Sequence, residues 1–424
     1  MTSQLRVAAI TYDYYPFDIR VRRMAEAAAD AGYDMQVICL RDTGEQPSEQ
    51  YNGVSITRVP FSRGFGRPLP ITVLSWLWFL LLAGVTVTRQ HLRQPYDVIL
   101  AHNMPDFLVF AALIPRLLGA KVVLDVQDVS PELMAAKSHG RLSGALYWFS
   151  AVQERVSTAF AQHVITVGWP FEGRLKARGV PARKLSLVLN SADPRLFPAA
   201  RRCPSPSWEA GESGPFIVMY YGTIAERNGL DTAVRALALA LPRAPRLRLD
   251  IMGRGEHLPT VKALAESLGV AEHVRFSDPC PSENIVDFVV HGDVGIIPYR
   301  LDGFAELVLP TKAYEQAWMR RPILASDTVA IRSMFRPGAV LLCDPDSPEA
   351  FADAMVKLYE HPELQREMVE RAAEDYTPYR WENERARYQE LLAALPRKDL
   401  SPSLSPARGE EPEAGKPPSV SLSS

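Results

Sequence analysis

Residues 302–318, DGFAELVLPTKAYEQAW, set two glutamates, a Pro-Thr turn and a lysine beside a helix start. A residue before proline is steered away from helix, so Leu309 should close an extended or loop segment. Thr311 is then expected to cap the helix that follows, with Glu315 one turn inside it. Either this is an ordinary capped helix, or it is a cradle for an anion with Glu306, Lys312 and Glu315 placed around it. A second anion seat is expected in YYGTIAERNGLD, residues 220–231. There a strand ends at Gly222, Thr223 opens a loop carrying Arg227, and a helix begins. A merely solvated loop arginine is the alternative. MGRGE, residues 252–256, reads as a tight turn, and no G-x-G-x-x-G fingerprint accompanies it. DPD at 344–346 resembles a metal-binding acid pair, but Ser347-Pro348 reads better as an N-cap followed by proline at the first helical position. No metal site is expected.

These residues need a scaffold, and the chain alternates strand-like and helix-like patterns throughout. LRVAAITY (5–12), MQVICL (35–40), VSITRVP (54–60), YDVILAH (96–102), KVVLDVQD (121–128) and HVITVG (163–168) read as strands. Helices are expected over 20–32, 106–119 and 143–161. A second set follows, with strands FIVMYYG (216–222), LRLDIMG (247–253), HVRFSD (273–278), VGIIPY (294–299) and RPILASD (321–327). Helices over 229–241 and 348–361 lie among them. Such alternation predicts α/β layers with parallel sheets. The Pro, Ser and Gly of 198–215 read as a linker, which divides the chain into domains over 1–197 and 216–375. Residues 376–395 are expected to form a helix crossing back to the first domain, and 396–424 a disordered tail.

The totals narrow the possibilities. A length of 424 residues suits two cores rather than one, and 47% hydrophobic with 23% charged residues is a globular balance. The net charge of −2 hides a basic first half and an acidic second half. Neither half has the concentrated basic face that bulk nucleic-acid binding needs. The cysteines 39, 203, 280 and 343 are scattered without metal spacing, as expected of reduced thiols. The chain opens directly into a strand pattern, so no secretory signal is read there. The run LPITVLSWLWFLLLAGVTV (69–87) is open to three readings: a buried helix, an interfacial helix, or a membrane span. Cations in SRGFGR before it and TRQHLRQ after it suit a headgroup layer.

The order of these motifs resembles the retaining group 1 (family 4) glycosyltransferases over residues 5–392. YYGTIAERNGLD followed by IIPYRLDGFAELVLPTKAYEQAWMRRPILASD is similar to their C-terminal half. HNMPDFLVFAALIPRLLGAKVVLDVQDVSPEL and VITVGWPFEGRLKARGVPARKLSLVLNSADPRLF are similar to their first half. The resemblance implies the GT-B architecture, two Rossmann-like domains facing a cleft, with a nucleotide sugar bound mainly by the second. It assigns Glu315 to the ribose hydroxyls, as the last glutamate of the family's E-x7-E motif. Glu306 falls where the first glutamate belongs, as a catalytic or sugar-binding group, but lies nine positions away instead of eight.

By the same resemblance Gly222, Thr223, Arg227, Leu309, Thr311 and Lys312 surround the donor phosphates and sugar. Thr223 stands where the family has an arginine, so half of its diphosphate clamp is missing or is supplied by Lys312 or Arg300. His102 ends a buried strand and is a catalytic or sugar-contact candidate, with a capping turn through Asp106 as the alternative. Gln127 and Asp128 occupy the place of a His-Asp pair, and with Arg20 they are acceptor-side candidates. Glu132 is a further acceptor contact or a helix cap, and Arg22 and Arg23 either contact an acceptor or form a solvated face. The expected activity is sugar transfer from a nucleoside diphosphate, without cofactor, to a glycan or polyprenyl-linked acceptor in surface or exopolysaccharide synthesis. The expected place is the cytoplasm, at the inner face of the plasma membrane. A nucleotide-sugar epimerase and a non-catalytic nucleotide-sugar binder are the alternatives.

Overall fold

The computed structural model describes residues 4–64, 68–137, 141–202 and 214–396. Most of the expected linker (203–213) and nearly all of the expected tail (397–424) lie outside the described residues. The first sheet takes β1 (Arg6–Thr11), β2 (Asp34–Leu40), β3 (Ser48–Tyr51), β4 (Val54–Val59), β5 (Val98–His102), β6 (Lys121–Val126), β7 (His163–Thr166) and β8 (Leu185–Leu187). Their spatial order is β3-β4-β2-β1-β5-β6-β7-β8, and every pairing is parallel except the β3/β4 hairpin. The second sheet takes β9 (Phe216–Tyr221), β10 (Leu247–Met252), β11 (Val274–Ser277), β12 (Val294–Ile297), β13 (Ile323–Ser326) and β14 (Leu341–Cys343). Its order is β11-β10-β9-β12-β13-β14, all parallel. Parallel strands covered on both faces read as continuous apolar runs, and every residue of β5, β9 and β13 is buried.

Helices cover both faces of each sheet. They are α1 (Ile19–Asp30), α2 (Leu69–Arg93), α3 (Leu113–Leu117), α4 (Ser130–Ala136), α5 (Arg141–Phe160) and α6 (Trp169–Ala177) on the first half. On the second are α7 (Leu230–Ala240), α8 (Leu258–Ser267), α9 (Ile285–His291), α10 (Thr311–Trp318), α11 (Val329–Met334), α12 (Pro348–Glu360) and α13 (Pro362–Tyr376). The last, α14 (Trp381–Ala394), returns to the first half. Trp381, Tyr388, Leu391 and Leu392 join the core around β1 and α1, and Gln389 Nε2 donates to the Ala27 carbonyl at 2.7 Å. Local chemistry sets several helix starts. Asp18 Oδ1 accepts from the Val21 N–H at 3.0 Å, and Ser347 Oγ from Ala350 N–H at 3.2 Å, each cap stabilising its helix by about 1 kcal/mol. Ser347 with Pro348 behind it is thus the helix start read from the sequence.

Three expectations are corrected. The segment 106–119 is a 3-10 helix over Asp106–Ala112 before α3, not one regular helix. The hairpin strand β3 and the short strand β8 were not expected, although Asn52-Gly53 between β3 and β4 is the sequence that a tight hairpin favours, both residues having positive φ. The apolar run at 69–87 is a helix, but not a buried one: Phe79, Ala83, Val87 and His91 alone are buried along α2. That spacing of four makes one narrow inward stripe.

Candidate active site

The loops that leave the carboxyl ends of the parallel strands meet in a cleft between the two sheets, the general position for ligands of open α/β folds. A cavity of about 430 Å³ there is lined by Gly222, Thr223, Arg227, Thr311, Lys312 and Glu315, with Ile19 and Asp128 facing them from the first half. A neighbouring cavity of about 410 Å³ reaches Asp18, Arg20, Arg23 and Gln127 and shares Thr311 and Glu315 with the first. A third, of about 330 Å³, continues past Gln127 and Asp128 to Asp13, Arg63 and the α2 residues Thr72 and Trp76.

The loop after β9 is held from two sides. Tyr220 Oη and Asn228 Nδ2 both donate to the Thr223 carbonyl, at 2.6 and 2.7 Å. A side chain at Gly253 or Gly255 would place its Cβ 1.9 Å from the Gly222 oxygen or 2.0 Å from the Ile224 oxygen. MGRGE therefore has a positional task beyond turning the chain: its glycines let the 222–224 loop lie directly on it.

Lys312 sits behind this loop and is 7% exposed. Its ammonium lies 3.5 Å from the Tyr299 hydroxyl and 4.2 Å from the centre of the Tyr220 ring. Among the described residues no carboxylate forms an ion pair with it. Burial opposes its charge, while the Tyr220 and Tyr299 oxygens raise its pKa, and the net shift is upward. A buried ammonium without a counter-ion is a standing demand for an anion. Arg227 follows on a single 3-10 turn, half-buried, with its guanidinium 5.9 Å from the centre of the Phe304 ring. Helix α10 starts between the two cavities. Its N-cap is Pro310, without a side-chain cap, and not Thr311, which is the first helical residue. The N-terminal amides of α10 are consequently left without a side-chain acceptor beside two cations.

Glu315 projects one turn further along, and burial pushes its carboxyl upward against the pull of Tyr221, Lys312 and Arg23. Arg300 does not complete a phosphate clamp, because it is bound to Asp231, to Glu226 at 3.1 Å and to Asp346 at 3.6 Å. The structure also separates the two glutamates of the opening motif. Glu306 lies on a 3-10 turn, Ala305–Leu307, and lines none of the three cleft cavities. Leu309 packs its side chain into the core under α10, so only its backbone could meet a ligand.

On the first half, the expected acceptor cation Arg20 is 5% exposed and fully engaged. It grips Asp125 through two nitrogens, at 2.9 and 2.6 Å, and donates to the Val188 carbonyl and Asn190 Oδ1, each at 2.9 Å. Burial opposes the Asp125 charge, but Arg20 overrides it and holds the carboxyl well below the usual range. His102 joins the same network, with Nδ1 2.8 Å from Asp125 Oδ2, and is buried outside the cavity walls. Both residues therefore hold the ends of β5 and β6 in place. Arg22 pairs with Glu26 at 3.1 Å, whereas Arg23 is buried in the wall of the second cavity, where burial lowers it to about 10. Glu132 is neither cap nor acceptor contact, being paired with Arg178 at 2.7 Å.

Gln127 and Asp128 do face the cavities. Asn103 positions them, its Oδ1 accepting from the Gln127 and Asp128 N–H groups at 2.7 and 3.3 Å. Burial raises the Asp128 carboxyl, with Lys137 and Arg227 acting against it. Sequence reasoning missed Asn103 and the tyrosines 220, 221 and 299, and left Arg23 open between an acceptor contact and a solvated face, whereas it is buried in a cavity wall. The doublet YYG at a strand end and PYR after the next strand were the available signals.

Two parallel-sheet α/β domains facing a cleft, with cations and an open helix start on one side, are the architecture of the GT-B class. Residues 18–191 match the family model of the glycosyl transferase 4-like domain, and residues 207–375 that of the glycosyl transferases group 1. The chain is 24% identical over 385 residues to a D-inositol 3-phosphate glycosyltransferase of Acidothermus cellulolyticus, covering 86% of this chain and 82% of that protein. Sucrose-phosphate synthase from Thermosynechococcus elongatus superposes with a TM-score of 0.72 at 17% identity, over 92% of this chain and all of that one. HepE of Anabaena in complex with UDP-glucose does so with a TM-score of 0.69 at 15% identity, again over 92% of this chain and all of that one. The chain belongs to the group 1 glycosyltransferases of GT-B fold.

Proposed function

We propose that the protein is a retaining, metal-independent glycosyltransferase that moves a sugar from a nucleoside-diphosphate donor to a glycan or lipid-linked acceptor. The observation that carries this reading is Lys312, a buried ammonium that pairs with no carboxylate among the described residues, beside the uncapped start of α10. A diphosphate laid there meets Lys312, Arg227 and the α10 amides, which together supply the positive charge that a departing diphosphate needs. Glu315 accepts from the two vicinal hydroxyls of the ribose. The UDP-glucose complex of the similarly folded HepE supports a donor of this kind. None of the carboxylates lining the cleft is assigned as a covalent nucleophile. The acceptor hydroxyl is accordingly taken to attack from the face the diphosphate leaves, giving its proton to a leaving phosphate oxygen.

The acceptor enters past Gln127 and Asp128 through the cavity that α2 walls. That route, and the long apolar run at 69–87, support a polyprenyl-linked glycan acceptor at the inner face of the plasma membrane, in surface or exopolysaccharide synthesis. The test is a screen of nucleoside-diphosphate sugars for diphosphate release and for the anomeric configuration of the product, made on wild type and Lys312→Met. Release from one donor with retained configuration, falling at least about a hundredfold in the variant, is expected from the loss of a buried charge contact. Inverted product, or a variant as active as wild type, overturns the assignment.

A further inference from the structure

Most of the large apolar side chains that the fold leaves exposed lie on one side of the first domain. Along α2, Leu74, Leu77, Trp78, Leu81 and Val85 form a stripe opposite the buried one, each at least 41% exposed. The stripe does not stop at α2. The 3-10 turn Asp106–Ala112 packs between α2 and α5, with Trp76 against Phe107 at 6.3 Å and Phe110 against Phe160 at 4.9 Å. Beside it Ile114, Leu117 and Leu118 are exposed on α3 and its end, and Trp148, Phe149, Val152 and Val156 on α5. Three helices thus share one apolar face, far beyond the scattered single residues of an ordinary surface.

The exposed charge described on these three helices has a single sign. No Asp or Glu occurs in Leu69–Arg93 or in Leu113–Leu117, and the one acid of α5, Glu154, is buried on Arg178. Arg89, Arg93 and Arg155 are exposed and Arg116 is half-buried. The polar residues within the apolar stretch are spent internally: Thr72, Ser75 and Thr86 donate to the carbonyls four residues back, at 3.3, 2.8 and 2.7 Å. Hydroxyls satisfied in this way cost little in an apolar medium.

We infer that α2, α3 and α5 together form a seat for an anionic lipid bilayer, into which the apolar side chains dip while the four arginines meet the headgroups. A second copy of the chain fits less well, since a two-fold interface would set cations against cations with no acid to answer them. The seat also lies beside the chemistry, because Thr72, Ser75 and Trp76 of α2 wall the same cavity as Gln127 and Asp128. A headgroup standing on that bilayer would enter the cleft along α2. The inference rests on the peripheral membrane contact read at 69–87 and extends it to two helices that no apolar run of membrane length marks.

The test is co-sedimentation of the full chain with vesicles of phosphatidylcholine alone or mixed with phosphatidylglycerol. Three variants are compared: Leu77→Glu on α2, Leu117→Glu on α3 and Trp148→Glu on α5. These side chains are exposed, so melting temperatures should match wild type. The expected result is binding to the mixed vesicles that weakens with salt, and a loss of about tenfold in partitioning for each variant. If only Leu77→Glu weakens binding, the three-helix seat is wrong while contact through α2 stands. If wild type binds neither vesicle, both fall; a dimer dispersed by Trp148→Glu would then assign the face to a second copy.

Discussion

Glu315 and Tyr221 form the part of the proposed donor site whose behaviour is most tightly set by burial. The Tyr221 hydroxyl is enclosed, and burial first and the adjoining Glu315 carboxylate second hold its pKa well above the usual range. A ribose diol drawn onto Glu315 needs the ionised carboxylate, whose pKa burial raises. Donor binding must then lower that pKa, so affinity is expected to rise with pH until the carboxyl of the free protein is ionised. Calorimetric titration with the nucleoside diphosphate across pH should show this slope for wild type and a flat profile for Glu315→Gln. Tyr221→Phe removes a hydroxyl that can steady the carboxylate, and a weakening of about fivefold with kcat unchanged is expected for one hydrogen bond. An unchanged pH profile in Glu315→Gln would remove the ribose role. Glu315, Lys312 and Arg227 were legible because motif order fixes which side of the cleft they reach. The roles of Arg20 and His102 were not, since residue type does not reveal whether a side chain's hydrogen bonds are already taken, and motif order did not show that the 3-10 turn carries Glu306 away from the cavity walls. Arg20 spends its donors on Asp125, Val188 and Asn190.

At the level of elements, buried strands announce themselves by apolar runs, and all six lettered strands of the first half from the sequence recur as β1, β2 and β4 to β7. Short elements escape this logic: β8 has three residues and β3 is exposed over most of its length. Helix α2 shows the opposite failure, since its apolar composition says nothing about which faces the fold covers. Strand β7 also carries a testable liability. His163 is 3% exposed, with Nε2 2.9 Å from Ser186 Oγ, and burial lowers it to about 4. A depressed folded-state pKa gives stability that is complete above the unfolded value and is lost as pH falls toward 4. Between pH 7 and pH 5 this one residue should cost the fold about 2 kcal/mol. Urea unfolding at the two pH values should show that difference in wild type and its absence in His163→Gln. An equal pH dependence in both proteins would mean that His163 is protonated within the fold.

For the whole molecule, alternating patterns and one linker composition were enough to read two α/β layers facing a cleft. The way the chain closes on itself is less visible, because α14 meets partners 195 to 362 positions earlier. The Leu189 N–H donates at 2.8 Å to Glu384, which is wholly buried, and Trp381 stacks on the Arg23 guanidinium 4.5 Å from its ring centre. Arg23 in turn walls the second cleft cavity, so the returning helix supports both the first domain and a side of the site. Trp381→Ala removes that stacking and leaves a hole among Val21, Met24 and Tyr388, at a cost of about 3 kcal/mol. In urea the first domain should unfold at a lower midpoint than in wild type, followed by the fluorescence of its own tryptophans. Nucleoside-diphosphate binding to the second domain should persist above that midpoint, because Lys312, Arg227 and the start of α10 do not depend on α14. Loss of diphosphate binding together with the midpoint would mean that the two domains unfold as one cooperative unit, joined through this helix. An unshifted midpoint would show that the crossing helix is dispensable to the first domain.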